Sequence, residues 1–144
     1  MKNFKLIHYN TPGYQEQVRL RYEVLRAPLG LEFTPEYLEK DQYDFLFGCY
    51  MDGVLVGCCQ LTPLESGVFQ LRQMAVVPNR QGHNIGKELV AYVESYIQKE
   101  GGKKITLHAR QEAQGFYEKI GYRVEGESFE EVGIPHFTME KKLI

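Results

Sequence analysis

A short stretch of main chain carries the first chemistry this sequence offers. After Pro78-Asn79-Arg80 the chain reads Gln81-Gly82-His83-Asn84-Ile85-Gly86-Lys87, a polar, glycine-bearing loop that opens a helix. The first turn of any helix has N–H groups without intrahelical partners and carries a partial positive charge. A glycine-bearing loop lets such a backbone approach a phosphoryl group closely. The segment is not a Walker A loop, because Lys87 is followed by Glu88, and Gly82 and Gly86 have the wrong spacing for a dinucleotide fingerprint. Arg21, Arg26 and Arg72 are candidates for a pocket receptive to a phosphate or carboxylate on a bound molecule, against the alternative of solvated surface charge. For proton transfer the candidates are Glu130, Glu131 and His136; histidine is the side chain whose charge changes near neutral pH. The alternative for His136 is a hydrogen bond within its own turn. His8, His83 and His108 are scattered without metal-ligand spacing, so no metal site is expected. Cys58 or Cys59 could be a nucleophile, against inert packing in an internal strand.

These residues need elements to place them. Phe4 to Tyr9 reads as a strand. Thr11-Pro12 is an N-cap followed by proline at the first helical position, and Tyr14, Val18, Tyr22 and Leu25 recur at helical spacing until Pro28 and Gly30. Thr34-Pro35 repeats the start signal for a shorter helix. Phe45 to Met51, Val54 to Leu61 and Val68 to Val77 read as an antiparallel meander, its first turn at Asp52-Gly53. Ile85, Leu89, Val93 and Ile97 mark one face of a long helix closed by Gly101-Gly102. A strand from Lys104 to Ala109, a helix through Ala113, Phe116, Tyr117 and Ile120, and a strand from Tyr122 to Phe129 follow. A loop with Gly133 and Pro135 precedes a last strand from His136 to about Leu143. The order predicts an α/β sheet with helices on both faces.

Composition narrows the class. The 144 residues fit one domain, 1–144, that can bury a core without metals or disulfides. With 17 Lys and Arg against 19 Asp and Glu, the formal charge of -2 predicts neither a nucleic-acid partner nor a membrane anchor. Three cysteines, two of them adjacent, make a poor disulfide framework and predict free thiols in the cytoplasm. No run approaches the roughly 20 apolar residues of a membrane span, and no signal peptide is evident.

Two segments resemble the signatures of the GNAT acetyltransferase superfamily. The first signature is Gln/Arg-x-x-Gly-x-Gly/Ala after a strand ending in Ala-Val-x-Pro or similar. It matches Gln81 to Gly86, with Asn84 in place of the middle glycine. Asn is among the few residues that tolerate positive φ, so the turn can survive. The second, Asn-x-x-Ala-x-x-Phe/Leu-Tyr-x-x-x-Gly-Phe/Tyr after a strand, is similar to Arg110 to Tyr122. Ala113, Phe116, Tyr117, Gly121 and Tyr122 match, and Arg110 stands where Asn is common. The tail Gly133-Ile134-Pro135-His136 resembles a subgroup of small bacterial members with this turn before the last strand.

The resemblance implies a mixed, mostly antiparallel sheet of six to seven strands flanked by about four helices and splayed between the fourth and fifth strands. It implies acetyl-CoA as cosubstrate, with pantetheine along Met74, Ala75 and Val76 and the Met74 amide facing the acyl oxygen. The diphosphate would lie on the backbone from Gln81 to Lys87, which includes His83 and Ile85, with Arg110 and Phe116 also on the cofactor side; the alternative for Arg110 is pairing with a phosphate or with an acidic acceptor. Tyr117 would protonate the departing thiolate, since a phenol keeps its proton at neutral pH; its alternative is a core aromatic. Arg26, Arg72 and His136 would edge the acceptor pocket. A well-studied subgroup has two histidines on the strand before the loop, where this chain has Gln70 and Arg72. The implied activity is acetyl transfer to the primary amine of a small molecule by direct attack. A protein amine as acceptor and a non-catalytic acyl-CoA sensor are the alternatives, and the resemblance admits a homodimer.

Overall fold

A computed structural model describes residues 1–143. Its centre is one seven-stranded sheet in the order β1-β2-β3-β4-β5-β7-β6. The strands are β1 (Lys2–Ile7), β2 (Phe45–Met51), β3 (Val54–Pro63), β4 (Val68–Val76), β5 (Lys104–Arg110), β6 (Arg123–Glu131) and β7 (Ile134–Lys142). Every neighbouring pair is antiparallel except β4 and β5. That parallel seam pairs only Val68 to Leu71 with Lys104 to Leu107. Beyond it the two strands diverge, and the sheet opens as the family resemblance implies.

The helices are α1 (Pro12–Arg21), α2 (Pro35–Glu39), α3 (Ile85–Lys99) and α4 (Gln114–Lys119). Thr11 and Thr34 cap the first two, each hydroxyl accepting a first-turn amide at 3.2 Å and 3.1 Å. Alternation along the strands feeds two cores. Phe47 and Cys59 join Leu89, Val93 and Ile97 of α3 on one face, whereas Leu46 and Cys58 join Tyr14 and Leu20 of α1 on the other. Gly57 is part of this arrangement, because a Cβ there would stand 2.8 Å from Ile85 Cγ2 and push α3 off the sheet.

Two expected elements differ. The first helix does not run regularly to Pro28: its α-helical bonding ends at Arg21, a π turn spans Tyr22–Arg26 and a 3-10 turn spans Ala27–Leu29. Pro28 has no N–H to give the carbonyl four residues back, so the regular ladder cannot be completed there. The expected loop before the last strand is instead a two-residue hairpin, Val132-Gly133, with φ of 47° and 73°. Positive φ at both central positions is the geometry that suits strand twist. Pro135 fits because β5 pairs with β7 only from His136 onward.

Candidate active site

The divergence of β4 from β5 leaves two connected cavities. One, of about 750 Å³, is a groove between the end of β4 and the start of α3. Met74, Ala75, Val76, Gln81, Gly82, Asn84, Ile85, Gly86, Lys87 and Phe116 line it. Asn84 takes the left-handed conformation, φ 62° and ψ 16°, and Gly82 has φ 89°. The first helical bond, from the Glu88 amide to the Asn84 carbonyl at 3.0 Å, leaves the preceding amides at the helix mouth. Arg80, Lys87 and Lys119 add positive charge to the same walls, against Glu112. His83 does not line the groove. Its amide is spent on the Arg80 carbonyl at 3.3 Å, and its carbonyl accepts from Lys2 Nζ at 2.7 Å.

The second cavity, of about 640 Å³, lies between β4, β5, the turn after α1 and the β6–β7 hairpin. Val24, Met74, Ala113 and Phe116 border both cavities, so the two meet there. Tyr117 lines the second beside that junction. Its ring is pinned edge-to-face between Phe116 and Tyr122, at centroid distances of 4.9 Å and 5.8 Å. Its hydroxyl makes no hydrogen bond among the described residues. Burial raises the phenol well above its ordinary value, with the nearby Cys59 adding in the same direction, so it stays protonated.

On β4 a bulge faces the junction. Gln60 pairs with Arg72 and Cys58 with Ala75, which leaves Gln73 and Met74 opposite the single residue Cys59. Gln73 sits at φ 58°, a conformation that costs a non-glycine residue about 1–2 kcal/mol. Two contacts hold it: its side-chain amide donates to the Tyr37 hydroxyl at 2.8 Å, and Cys58 Sγ donates to its carbonyl at 3.7 Å. Arg72 Nη2 donates to the same Tyr37 oxygen at 2.6 Å, with Asp44 at 3.5 Å behind it. Burial pushes the Asp44 carboxyl above the usual range, opposed by hydrogen bonds from Gln60 and Thr62 and by the Arg72 charge.

Arg26, Arg72 and His136 all line the second cavity. Arg110 lines it too, so it stands on the acceptor side and not on the walls of the groove, where the resemblance puts it. The cause is register: Arg110 ends β5 directly opposite His136 of β7. Arg21 lies elsewhere. It is fully buried, its Nη1 bonded to Asp41 Oδ2 at 2.8 Å, and cannot serve a surface pocket. The cysteines are buried and free, and burial pushes the Cys58 thiol up to about 12, so a thiolate nucleophile is not available. No three or more His, Cys, Asp or Glu gather as a metal site among the described residues.

His136 is buried. Its Nδ1 lies 2.7 Å from the Ile134 carbonyl, which can only accept, so the proton sits on Nδ1 and Nε2 is the basic nitrogen. Glu131 approaches that Nε2 at 3.8 Å and His108 Nδ1 at 3.0 Å. Sequence reading missed His108, Tyr37 and Asp44. A contact across 23 residues, such as that from His108 to Glu131, leaves no local spacing signal.

The model of the acetyltransferase (GNAT) domain matches residues 14–143. The chain belongs to the GNAT acetyltransferases. The uncharacterized N-acetyltransferase YitI of Bacillus subtilis is 24% identical over 96% of this chain and 97% of its own. A crystal structure from Lactobacillus plantarum, assigned as an N-acetyltransferase, superposes with a TM-score of 0.86 at 25% identity, covering 98% of this chain and 99% of that one. An aminoglycoside 6'-N-acetyltransferase complexed with coenzyme A shares the fold at a TM-score of 0.80 and 20% identity, over 99% and 97% of the two chains. This GNAT chain is thus an acyltransferase. Its groove suits a linear phosphorylated thioester. Open amides and cations stand at the α3 end, and Gly86 keeps the wall clear, since a Cβ there would meet Phe116 at 3.2 Å. Among the described residues no helix is long and apolar enough to cross a membrane.

Proposed function

We propose that residues 1–144 form an N-acetyltransferase domain that moves the acetyl group of acetyl-CoA to the primary amine of a small molecule by direct attack. The observation that carries this reading is the meeting of groove and cavity at Met74 and Phe116, with the unpartnered Tyr117 hydroxyl beside it. The thioester supplies an activated acyl carbon and a thiolate leaving group. The amides from Gly82 to Lys87 hold its diphosphate end, apart from that of His83. The Met74 amide, on the part of β4 beyond its pairing with β5, donates to the acyl oxygen as charge grows there.

His136 Nε2 takes a proton from the acceptor's ammonium and passes it to solvent past Glu131, which leaves a neutral amine. The amine nitrogen bonds to the acyl carbon as the carbon–sulfur bond breaks. Tyr117 gives its proton to the sulfur, and the second proton lost by the nitrogen restores the Tyr117 phenol. Acetamide and free thiol result, with one net proton released. A cavity of about 640 Å³, lined on one side by Leu29, Leu31 and Tyr37, matches a small acceptor in size. The Gly133 to His136 segment that supplies the base supports placement in the small bacterial subgroup. Three free thiols fit a cytoplasmic setting.

The test follows free thiol release with acetyl-CoA over a panel of amines. Tyr117→Phe should lower kcat about 10²-fold, the lower end for a general acid, and leave acetyl-CoA affinity within about twofold. Unchanged turnover removes the acid role. Binding of coenzyme A without turnover of any amine favours a sensor.

A further inference from the structure

The charges in the acceptor cavity are unbalanced. Three guanidiniums, from Arg26, Arg72 and Arg110, line it, against the single carboxylate of Glu131. None of the three is a free surface arginine; each is half-buried. Arg72 has its counter-charge in Asp44, and Glu131 lies within hydrogen-bond distance of His108 Nδ1, at 3.0 Å. Arg26 and Arg110 form no ion pair among the described residues. Arg26 is nevertheless held in place, its guanidinium 4.6 Å from the centre of the Phe33 ring and 5.2 Å from that of Tyr37. The Phe33 and Tyr37 rings are themselves stacked at 5.7 Å.

Half-burial costs each cation hydration; the two rings return part of that to Arg26, and an anion would complete it for both arginines. Tyr37 has a further consequence. Its oxygen accepts from both Arg72 and Gln73, so its own proton is left to donate elsewhere. We propose that the acceptor of this enzyme carries an anionic group, a carboxylate or a phosphoryl, in addition to its amine, and that Arg26 and Arg110 bind that group. The inference rests on the proposed acetyl transfer and names the substrate class for it. The same field disfavours polycationic acceptors.

The experiment compares matched amines by thiol release at subsaturating concentration: tyramine with tyrosine, cadaverine with lysine, ethanolamine with phosphoethanolamine, and glucosamine with its 6-phosphate. The first two pairs report carboxylate and the last two phosphoryl. In at least one pair the anionic member should show a kcat/KM about tenfold higher or more, equivalent to about 1.4 kcal/mol. Arg26→Gln and Arg110→Gln should each erase most of that advantage by raising the acceptor KM, with the KM for acetyl-CoA unchanged. Equal or better use of the neutral member in every pair overturns the inference, as does an advantage that survives both substitutions. If coenzyme A binds but no amine is acetylated, the proposed function fails, and the charge inference is decided by calorimetry on the coenzyme A complex. Binding of tyrosine or phosphoethanolamine that weakens in Arg26→Gln then supports it, and no binding of any anionic member overturns it.

Discussion

A single carbonyl decides what His136 can do. Because Ile134 O accepts from Nδ1, the imidazole presents its basic nitrogen toward Glu131 and the cavity. His136→Gln should lower kcat/KM about 10²-fold, read by thiol release, with acetyl-CoA affinity unchanged. Glu131→Gln should cause a smaller loss. Turnover unaltered in His136→Gln would assign the base elsewhere. Residue type alone made His136 a candidate in the sequence, but the tautomer was not legible there. It depends on a hydrogen bond to a carbonyl two residues back in the same strand, and that strand is led in by a hairpin whose turn residue, Val132, has no preference for positive φ.

At the scale of elements, the loop from Gln81 to Lys87 is the best-read part of the site. Its function depends on backbone geometry, and backbone geometry leaves marks in glycine and asparagine. Asn84 holds the left-handed position that a glycine would hold without strain. Asn84→Gly should therefore keep coenzyme A affinity within about twofold. Asn84→Val should lose about 1–2 kcal/mol of stability in urea unfolding and weaken coenzyme A binding, because a β-branched residue resists that conformation. The bulge on β4 was illegible for the opposite reason. Gln73 has no local preference for φ 58°; Tyr37 and Cys58 impose it from distant parts of the chain. The π turn at Tyr22–Arg26 was hidden similarly, since its residues still repeat at helical spacing.

Across the whole molecule, the strand pattern and the two-faced core followed from alternation, but the buried polar network beneath the cavity did not. Asp41 accepts from Tyr14 at 2.7 Å, Arg21 at 2.8 Å and Gln60 at 2.9 Å, joining α1, the turn after α2 and β3. Asp41→Asn strands the buried Arg21 charge, which makes about 3 kcal/mol of cost reasonable. That loss should lower Tm by about 10 °C in a thermal melt. A melt that shifts by less than a few degrees would show that Arg21 finds another partner. The short parallel seam has its own consequence at this scale. Past Leu71 and Leu107 the two strands no longer pair and diverge as a wedge, in effect a sheet edge turned inward. Edges on the outside of proteins invite neighbouring chains to add a strand and aggregate. Here the invitation is issued indoors, where only a slender guest with its own amides can accept it.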